Sequence, residues 1–248
     1  MENSEFIFGT RAVIEAIKNN RLIEKVLIKK GLDNELFQEL FHLIRENQVV
    51  FQFVPIEKIN RITRKNHQGI VALISPIEYF NIEILLPGWF EKGITPLILI
   101  LDQITDVRNF GAIARSAECA GVNAIIIPEK GMARIGADAI KTSAGALHHI
   151  PVCKSDNLPE TIKFLKNSGI RIIAATEKAN KLYTSTEMNH PVGIVVGSEE
   201  DGISKQIIQL ADEQVKIPIH GKIDSLNVSV AAALIIYEAL RQRVTITN

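Results

Sequence analysis

"LILILDQITDVRNFGAIARSAECAGVNAIIIP" runs from Leu97 to Pro128. Its ends, LILIL (97–101) and NAIIIP (123–128), are short continuous apolar runs, and its middle reads as a helix. A strand with one wet face alternates apolar and polar residues, whereas a continuous run marks a strand buried on both faces. Strand, helix and strand in succession is the unit of a parallel sheet. Three further runs repeat the theme: IRIIAA (170–175), VGIVVG (192–197) and QVKIPI (214–219). The fold class is therefore α/β, with a parallel sheet covered by helices.

Open parallel sheets bind ligands beyond the carboxyl ends of their strands. The segments that follow the runs are DQITDVRN, TEKAN, SEEDG and HGKIDSLN. Polar and glycine-rich chemistry is thus expected at one rim of the sheet.

The first 75 residues are organised differently. TRAVIEAIKNN and NELFQELFHLIRENQ have helical spacing, while KVLIKKG, VVFQFV and GIVALIS read as strands. From there to Pro96 the pattern is broken by Pro76, Pro87, Gly88 and Gly93. The expected division is a small α/β domain over 1–75, a linker over 76–95 and a sheet domain over 96–248.

With 28 basic and 28 acidic residues the chain has no net field to draw in a polyanion, so any nucleic-acid contact has to rest on a local patch. KINRITRKNHQG (58–69) offers one, with Lys58, Arg61, Arg64 and Lys65 and no intervening acid. Two cysteines cannot form a disulfide framework, and their scarcity fits a reducing compartment. The opening residues lack the basic start and apolar core of a secretory signal, and no apolar run approaches the roughly 18 residues that span a bilayer. A cytoplasmic protein without membrane contact is expected. Neither GxGxxG nor GxxxxGK[ST] occurs, which argues against dinucleotide and NTP chemistry. HExxH and GxSxG are missing too, and the adjacent His148 and His149 are poorly spaced for one metal, so no metal is expected.

Three constellations remain. In DVRNFGAIARSAECAG (106–121), Asn109 can cap a helix from which Arg115 emerges in the second turn. In VVGSEEDGIS (195–204), a strand ends in Gly197 and three acids precede Gly202. In IPIHGKIDSLNVSVAAALIIYEALRQR (217–243), Ser225 or Asn227 can cap a helix whose run Val230–Tyr237 has no polar face and is expected to be buried.

Read together, NFGAIARSA, IVVGSEEDGIS and IPIHGKIDSLNVSVAAALIIYEA closely resemble the three motifs of the SpoU, or TrmH-like, branch of the SPOUT RNA methyltransferases. FGTRAVIEAI and HQGIVALI resemble the substrate-binding domain of those members that methylate a guanosine ribose in large-subunit ribosomal RNA. The resemblance implies a deep trefoil knot near the C-terminus, where ordinary topology rules lead to an unknotted sheet. It also implies S-adenosylmethionine as methyl donor, a homodimer, and RNA as substrate. By position it gives Asn109, Arg115, Glu199, Ser225 and Asn227 as active-site residues. The donor pocket would be lined by Thr176, Gly197, Ile217, Ser225 and Leu226. Arg11 stands where the N-terminal motif usually has His, and with Lys58, Arg61, Arg64 and Lys65 it is a candidate RNA contact. A transfer-RNA ribose methyltransferase, or a catalytically silent RNA-binding assembly factor, are the competing readings.

A ribose 2′-hydroxyl is a poor nucleophile, so such a site has to stabilise charge developing on that oxygen. A guanidinium does not give up its proton in proteins, which makes Arg115 a fixed cation and not a base. Asn109, Ser225 and Asn227 are then expected to orient Arg115 and the ribose, with Glu199 holding the motif loop or the arginine.

Overall fold

The computed structural model describes residues 6–132 and 135–245. The chain divides into two compact units, Met1–Ile77 and Glu78–Asn248.

The first unit runs β1 (Phe6–Phe8), α1 (Thr10–Lys18), β2 (Ile23–Lys29), α2 (Glu35–Glu46), β3 (Phe51–Val54), α3 (Ile56–Ile62) and β4 (Ile70–Ile74). Its sheet order is β1-β4-β2-β3, antiparallel except for the parallel β2/β3 pair. The Asn34 side chain accepts the Phe37 amide at 2.8 Å and starts α2, whose Phe37, Leu40 and Ile44 recur on one face. They join Val13, Ile14 and Ile17 of α1 over Val26, Ile28, Ile70 and Ala72. On the opposite face α3 contributes Ile59 to a smaller cluster with Leu27, Val54 and Val71.

The second unit runs β5 (Tyr79–Phe80), α4 (Ile82–Glu91), β6 (Leu97–Asp102), α5 (Val107–Cys119), β7 (Ala124–Pro128), α6 (Ala137–Thr142), β8 (Val152–Ser155), α7 (Leu158–Asn167), β9 (Arg171–Ala175), β10 (Lys181–Leu182), β11 (Val192–Gly197), α8 (Lys205–Leu210), β12 (Glu213–Lys216) and α9 (Val228–Thr245). All eight strands are parallel, in the order β10-β12-β9-β11-β6-β7-β8-β5. Every residue of β6 and β11 is buried, as their continuous apolar runs require. Ile98, Ile100, Ile126, Ile172 and Val195 share a core with α4, α7 and α8, while α5 packs against α6 and α9. Each fully buried Ile or Leu there contributes about 1.5–3 kcal/mol.

Three sequence expectations are corrected here. The stretch 76–95, read as a linker, holds β5 and α4, and Ile82 and Leu86 sit in the sheet core; the division between units falls at Ile77/Glu78. Pro87 lies inside α4 without ending it. Asn109 is not the cap of α5, since the Asp106 side chain accepts the Arg108 amide at 2.6 Å. The run Val230–Tyr237 is not buried all round: Ala232, Ile235 and Ile236 face inward, but Val230, Leu234 and Tyr237 are 49, 39 and 47% exposed. Their i, i+4, i+7 spacing makes an apolar stripe on the outside of α9.

Two topological features shape the polar rim. The last strand, β12, is inserted between β9 and β10, which are joined only by residues 176–180. The far end of α9 is latched by Arg243, whose guanidinium donates to Met188 O, Thr95 O, Pro96 O and His190 O at 2.7–3.1 Å. The side chain of Gln242 adds bonds to Met188 N and Thr186 O.

At the end of β11 the turn 198–202 folds straight back, with Ser198 and Gly202 exchanging backbone bonds of 3.0 and 3.1 Å. A Cβ on Gly197 would lie 2.1 Å from Gly202 C and 2.2 Å from its carbonyl oxygen. Gly197→Ala is therefore expected to displace this turn and lower stability by about 1–3 kcal/mol, read as a drop in the denaturant midpoint of the purified chain.

Candidate functional site

Four segments meet at the carboxyl rim of the second sheet: 103–106 after β6, 176–180 after β9, 198–204 after β11 and 217–227 after β12. The first two motif loops are tied at their bases, because the Asp102 carboxylate accepts the Ser204 amide at 2.7 Å.

Above that tie lies a closed triangle of side chains. Glu199 Oε1 accepts from Asn109 Nδ2 at 3.2 Å, from Asn227 Nδ2 at 2.6 Å and from the Val228 amide at 3.2 Å. Asn227 Nδ2 also donates to Asn109 Oδ1 at 3.0 Å. The remaining Asn227 oxygen accepts the Ser229 amide at 3.0 Å and the Ser229 hydroxyl, which makes Asn227 the cap of α9. One carboxylate thus joins the loop of β11, the first turn of α5 and the start of α9. Hydrogen bonds to an ionised acceptor are about twice as strong as neutral ones.

A cleft of about 260 Å³ opens beside the triangle. Thr176, Gly197, Ile217, Ser225 and Leu226, the five residues expected to form a donor pocket, all line it, and Glu199 stands on its edge. Ser225 is exposed in this cleft and makes no hydrogen bond among the described residues. A second cavity, of about 270 Å³, shares Glu199, Glu200 and Asp201 with the cleft and is lined as well by Gln103, Thr105, Asp106 and Asn109. Gln103 holds a left-handed φ of 60° there, a conformation that costs a non-glycine residue free energy. Sequence reading missed Asp102, Asp106 and Gln103; the polar run straight after a buried strand was the available signal.

Arg115 is not part of the triangle. It follows Asn109 by six residues on α5, which places it about 120° around the helix and about 9 Å along it. Its side chain is exposed and makes no hydrogen bond or ion pair among the described residues. Within the single chain, Asn109 and Asn227 orient Glu199 and each other. His148 and His149 are exposed, and among the described residues no cluster of three His, Cys, Asp or Glu could hold a metal ion. Burial pushes the Cys153 thiol up to about 12, so it supplies no thiolate nucleophile.

The candidate RNA contacts lie in the first unit. Lys58 and Arg61 are exposed on α3, Arg64 and Lys65 follow it, and Arg11 is exposed on α1. The turn before Arg11 is tied to the basic loop, since Thr10 N donates to Gln68 Oε1 at 3.2 Å and Gly9 N to Ile70 O at 3.1 Å.

Residues 96–237 match the family described as "SpoU rRNA Methylase family", and residues 6–80 match "RNA 2'-O ribose methyltransferase substrate binding". A Bacillus subtilis (strain 168) protein, YacO, named for the TrmH family of tRNA/rRNA methyltransferases, is 32% identical over 242 residues, 98% of this chain and 97% of its own. The chain belongs to the SpoU/TrmH family of RNA 2′-O-ribose methyltransferases. Among solved structures, an RNA 2′-O ribose methyltransferase superposes with a TM-score of 0.55 at 27% identity, over 96% of this chain and 88% of its own. The A. aeolicus TrmH/SpoU tRNA modifying enzyme gives 0.57 at 31% identity, over 62% of this chain and 78% of its own.

Enzymes of this family draw the methyl group from S-adenosylmethionine. The residues here fit that donor. The cleft has an apolar wall from Ile217, Leu226 and Ile235 and a polar mouth at Thr176, Ser225 and Asp224, and the side-chain-free Gly197 keeps its floor close to the turn.

Asn227→Ala removes both the α9 cap and two sides of the triangle. It is expected to cost about 1 kcal/mol in stability, seen by thermal unfolding. Asn227→Asp retains the capping oxygen but sets a second carboxylate against Glu199, and should lose more than the alanine variant in the same assay at neutral pH.

Proposed function

We propose that this methyltransferase modifies the 2′-hydroxyl of a guanosine in large-subunit ribosomal RNA, in the cytoplasm, as a homodimer whose catalytic domain is knotted. The observation that carries the proposal is the Glu199–Asn109–Asn227 triangle, whose carboxylate lines both the donor cleft and an adjoining polar cavity. A donor in the cleft and an acceptor ribose entering from the adjoining cavity would meet beside Glu199, as an in-line transfer requires.

S-adenosylmethionine, when bound, supplies a methyl group activated by a sulfonium. Thr176, Gly197, Ile217, Ser225 and Leu226 would hold it. Asn109, Glu199 and Asn227 tie together the three segments that border cleft and cavity, so that the incoming hydroxyl meets a preorganised site. Arg115 provides the cation that binds the RNA phosphate and stabilises the charge that develops on the attacking hydroxyl, whose proton passes to solvent as the methyl leaves the sulfonium. Because it faces away from its own triangle, its place is in the site of a second copy. The exposed stripe of Val230, Leu234 and Tyr237, with Ser116 of α5 beside it, supports pairing through α5 and α9.

Insertion of β12 between two strands joined by residues 176–180 supports threading of the C-terminal segment beneath that connection. Ribosomal RNA is favoured over transfer RNA by the first unit. The A. aeolicus tRNA modifying enzyme matches only 62% of this chain, leaving more than a third of it, a stretch at least as long as that unit, without a counterpart. Lys58, Arg61, Arg64, Lys65 and Arg11 give this unit the local positive charge that the neutral chain otherwise lacks.

Incubation with labelled S-adenosylmethionine and unmodified ribosomal RNA should leave one ribose resistant to alkaline cleavage, and transfer RNA should stay unlabelled. Labelling of transfer RNA alone would refute the substrate assignment. Arg115→Lys keeps the charge but not the planar fork, and Asn109→Ala opens the triangle; each should lower turnover at least tenfold. Mixing inactive Arg115→Ala and Asn227→Ala chains should restore part of the activity if the site is shared between copies, and none if each chain works alone.

A further inference from the structure

Strand β1 is an edge of the N-terminal sheet, and side chains two residues apart on a strand share a face. Phe6 and Phe8 therefore project together, on the face where α3 and not α1 or α2 packs. The seven-residue α3 seals Leu27, Val54 and Val71, but Phe6 and Phe8 at the sheet's margin stay half-buried. Their ring centroids are 6.3 Å apart with planes inclined by 43°.

One cation of this unit stands over these rings, and others flank it in sequence on α3 and the loop that follows. Lys65 Nζ stands 5.9 Å from the Phe8 centroid, within cation–π range. Among the described residues, none of Arg11, Arg61, Arg64 and Lys65 has a carboxylate partner. The loop that carries Arg64 and Lys65 is held in place. Gly69 N donates to His67 Nδ1 at 3.0 Å, so the ring proton is on Nε2, which faces Asn60 Oδ1 of α3 at 2.9 Å. The Thr10–Gln68 bond closes the other side. A half-buried aromatic pair with Lys65 beside it, on a loop that also carries the unpaired Arg64, suits a flexible polyanion that carries flat faces.

We propose that Phe8, with Phe6 beside it, is a stacking platform for unpaired bases of the RNA substrate, and that Lys65, Arg64 and Arg61 hold the phosphates on either side. The proposal rests on the reading of the chain as an RNA enzyme and adds to it the single-stranded character of the contact. Every base offers a π-face, whereas a duplex hides those faces in its own stack. The platform therefore selects unpaired RNA without selecting a sequence.

Binding of the full chain to a fluorescent oligouridylate and to an RNA duplex tests this at several salt concentrations. Phe8→Leu keeps the apolar volume and should weaken oligouridylate binding about tenfold, with the slope of affinity against salt unchanged. Arg64→Gln should reduce that slope by about 0.7. Phe8→Tyr should restore native affinity. In Phe8→Trp, oligouridylate but not duplex should quench the added indole emission, a readout that remains available if the leucine variant is poorly folded. Native affinity in a folded Phe8→Leu chain, or an unquenched Phe8→Trp, overturns the platform while leaving methyl transfer intact. A native chain that binds neither RNA overturns the platform and the enzyme reading together.

Discussion

Everything at the polar rim depends on a single carboxylate oxygen. Glu199 Oε1 collects an amide from α5, an amide from the residue that caps α9 and the first backbone N–H of α9. Three loops distant in sequence are brought to one point by it, over separations of 90 and 28 residues. The arrangement suits a carboxylate because all three partners are donors, and an ionised oxygen accepts several bonds at once. An amide or hydroxyl at position 199 would satisfy fewer of them. The site is therefore built by local structure that each sequence motif supplies separately, a helix start at Asp106, a turn after Gly197 and a helix start at Asn227, and by one charge that joins them.

The sequence announced the parallel sheet because its central strands are buried on both faces and hence apolar throughout; LILIL and VGIVVG become β6 and β11 almost residue for residue. It was silent where burial is partial. Strand β8 is only four residues long and ends in Lys154 and Ser155, and β5 is two residues, so neither carries a pattern long enough to read. Helix α4 was hidden by Pro87 and Gly88, which break propensity but not packing, since Ile82 and Leu86 still reach the core. The strand order, with β12 beside β9, has no signature in local periodicity. The site was legible as a set of positions, because Thr176, Gly197, Ile217, Ser225 and Leu226 do converge on one cleft. What could not be read was direction: six residues along a helix turn Arg115 away from Asn109, and only the helix geometry decides that.

The two units carry opposite local charge. Around the second cavity Asp106, Glu199, Glu200 and Asp201 are acidic, while the margin of the first unit near α3 is basic. A phosphate backbone is repelled by the first set and drawn to the second. On the proposed function, the basic margin of the first unit would draw in the polyanion, and Arg115 would be the cation that meets phosphate at the site of transfer. The overall neutrality of the chain, 28 basic against 28 acidic residues, conceals both regions.

The segment 217–227 carries both Ser225 and Asn227, and each of its ends is moored. On one side β12 is hydrogen-bonded between two neighbours; on the other α9 is held at its far end by the four carbonyls around Arg243. A span fixed this way cannot peel off from a frayed terminus, as many chain ends do. To loosen it the protein has to part β12 from β9 and β10 or free Arg243 from its four carbonyls. The cleft wall it forms is accordingly a tethered span: residues 218–227 are exposed, but both of its ends stay fastened to the sheet domain.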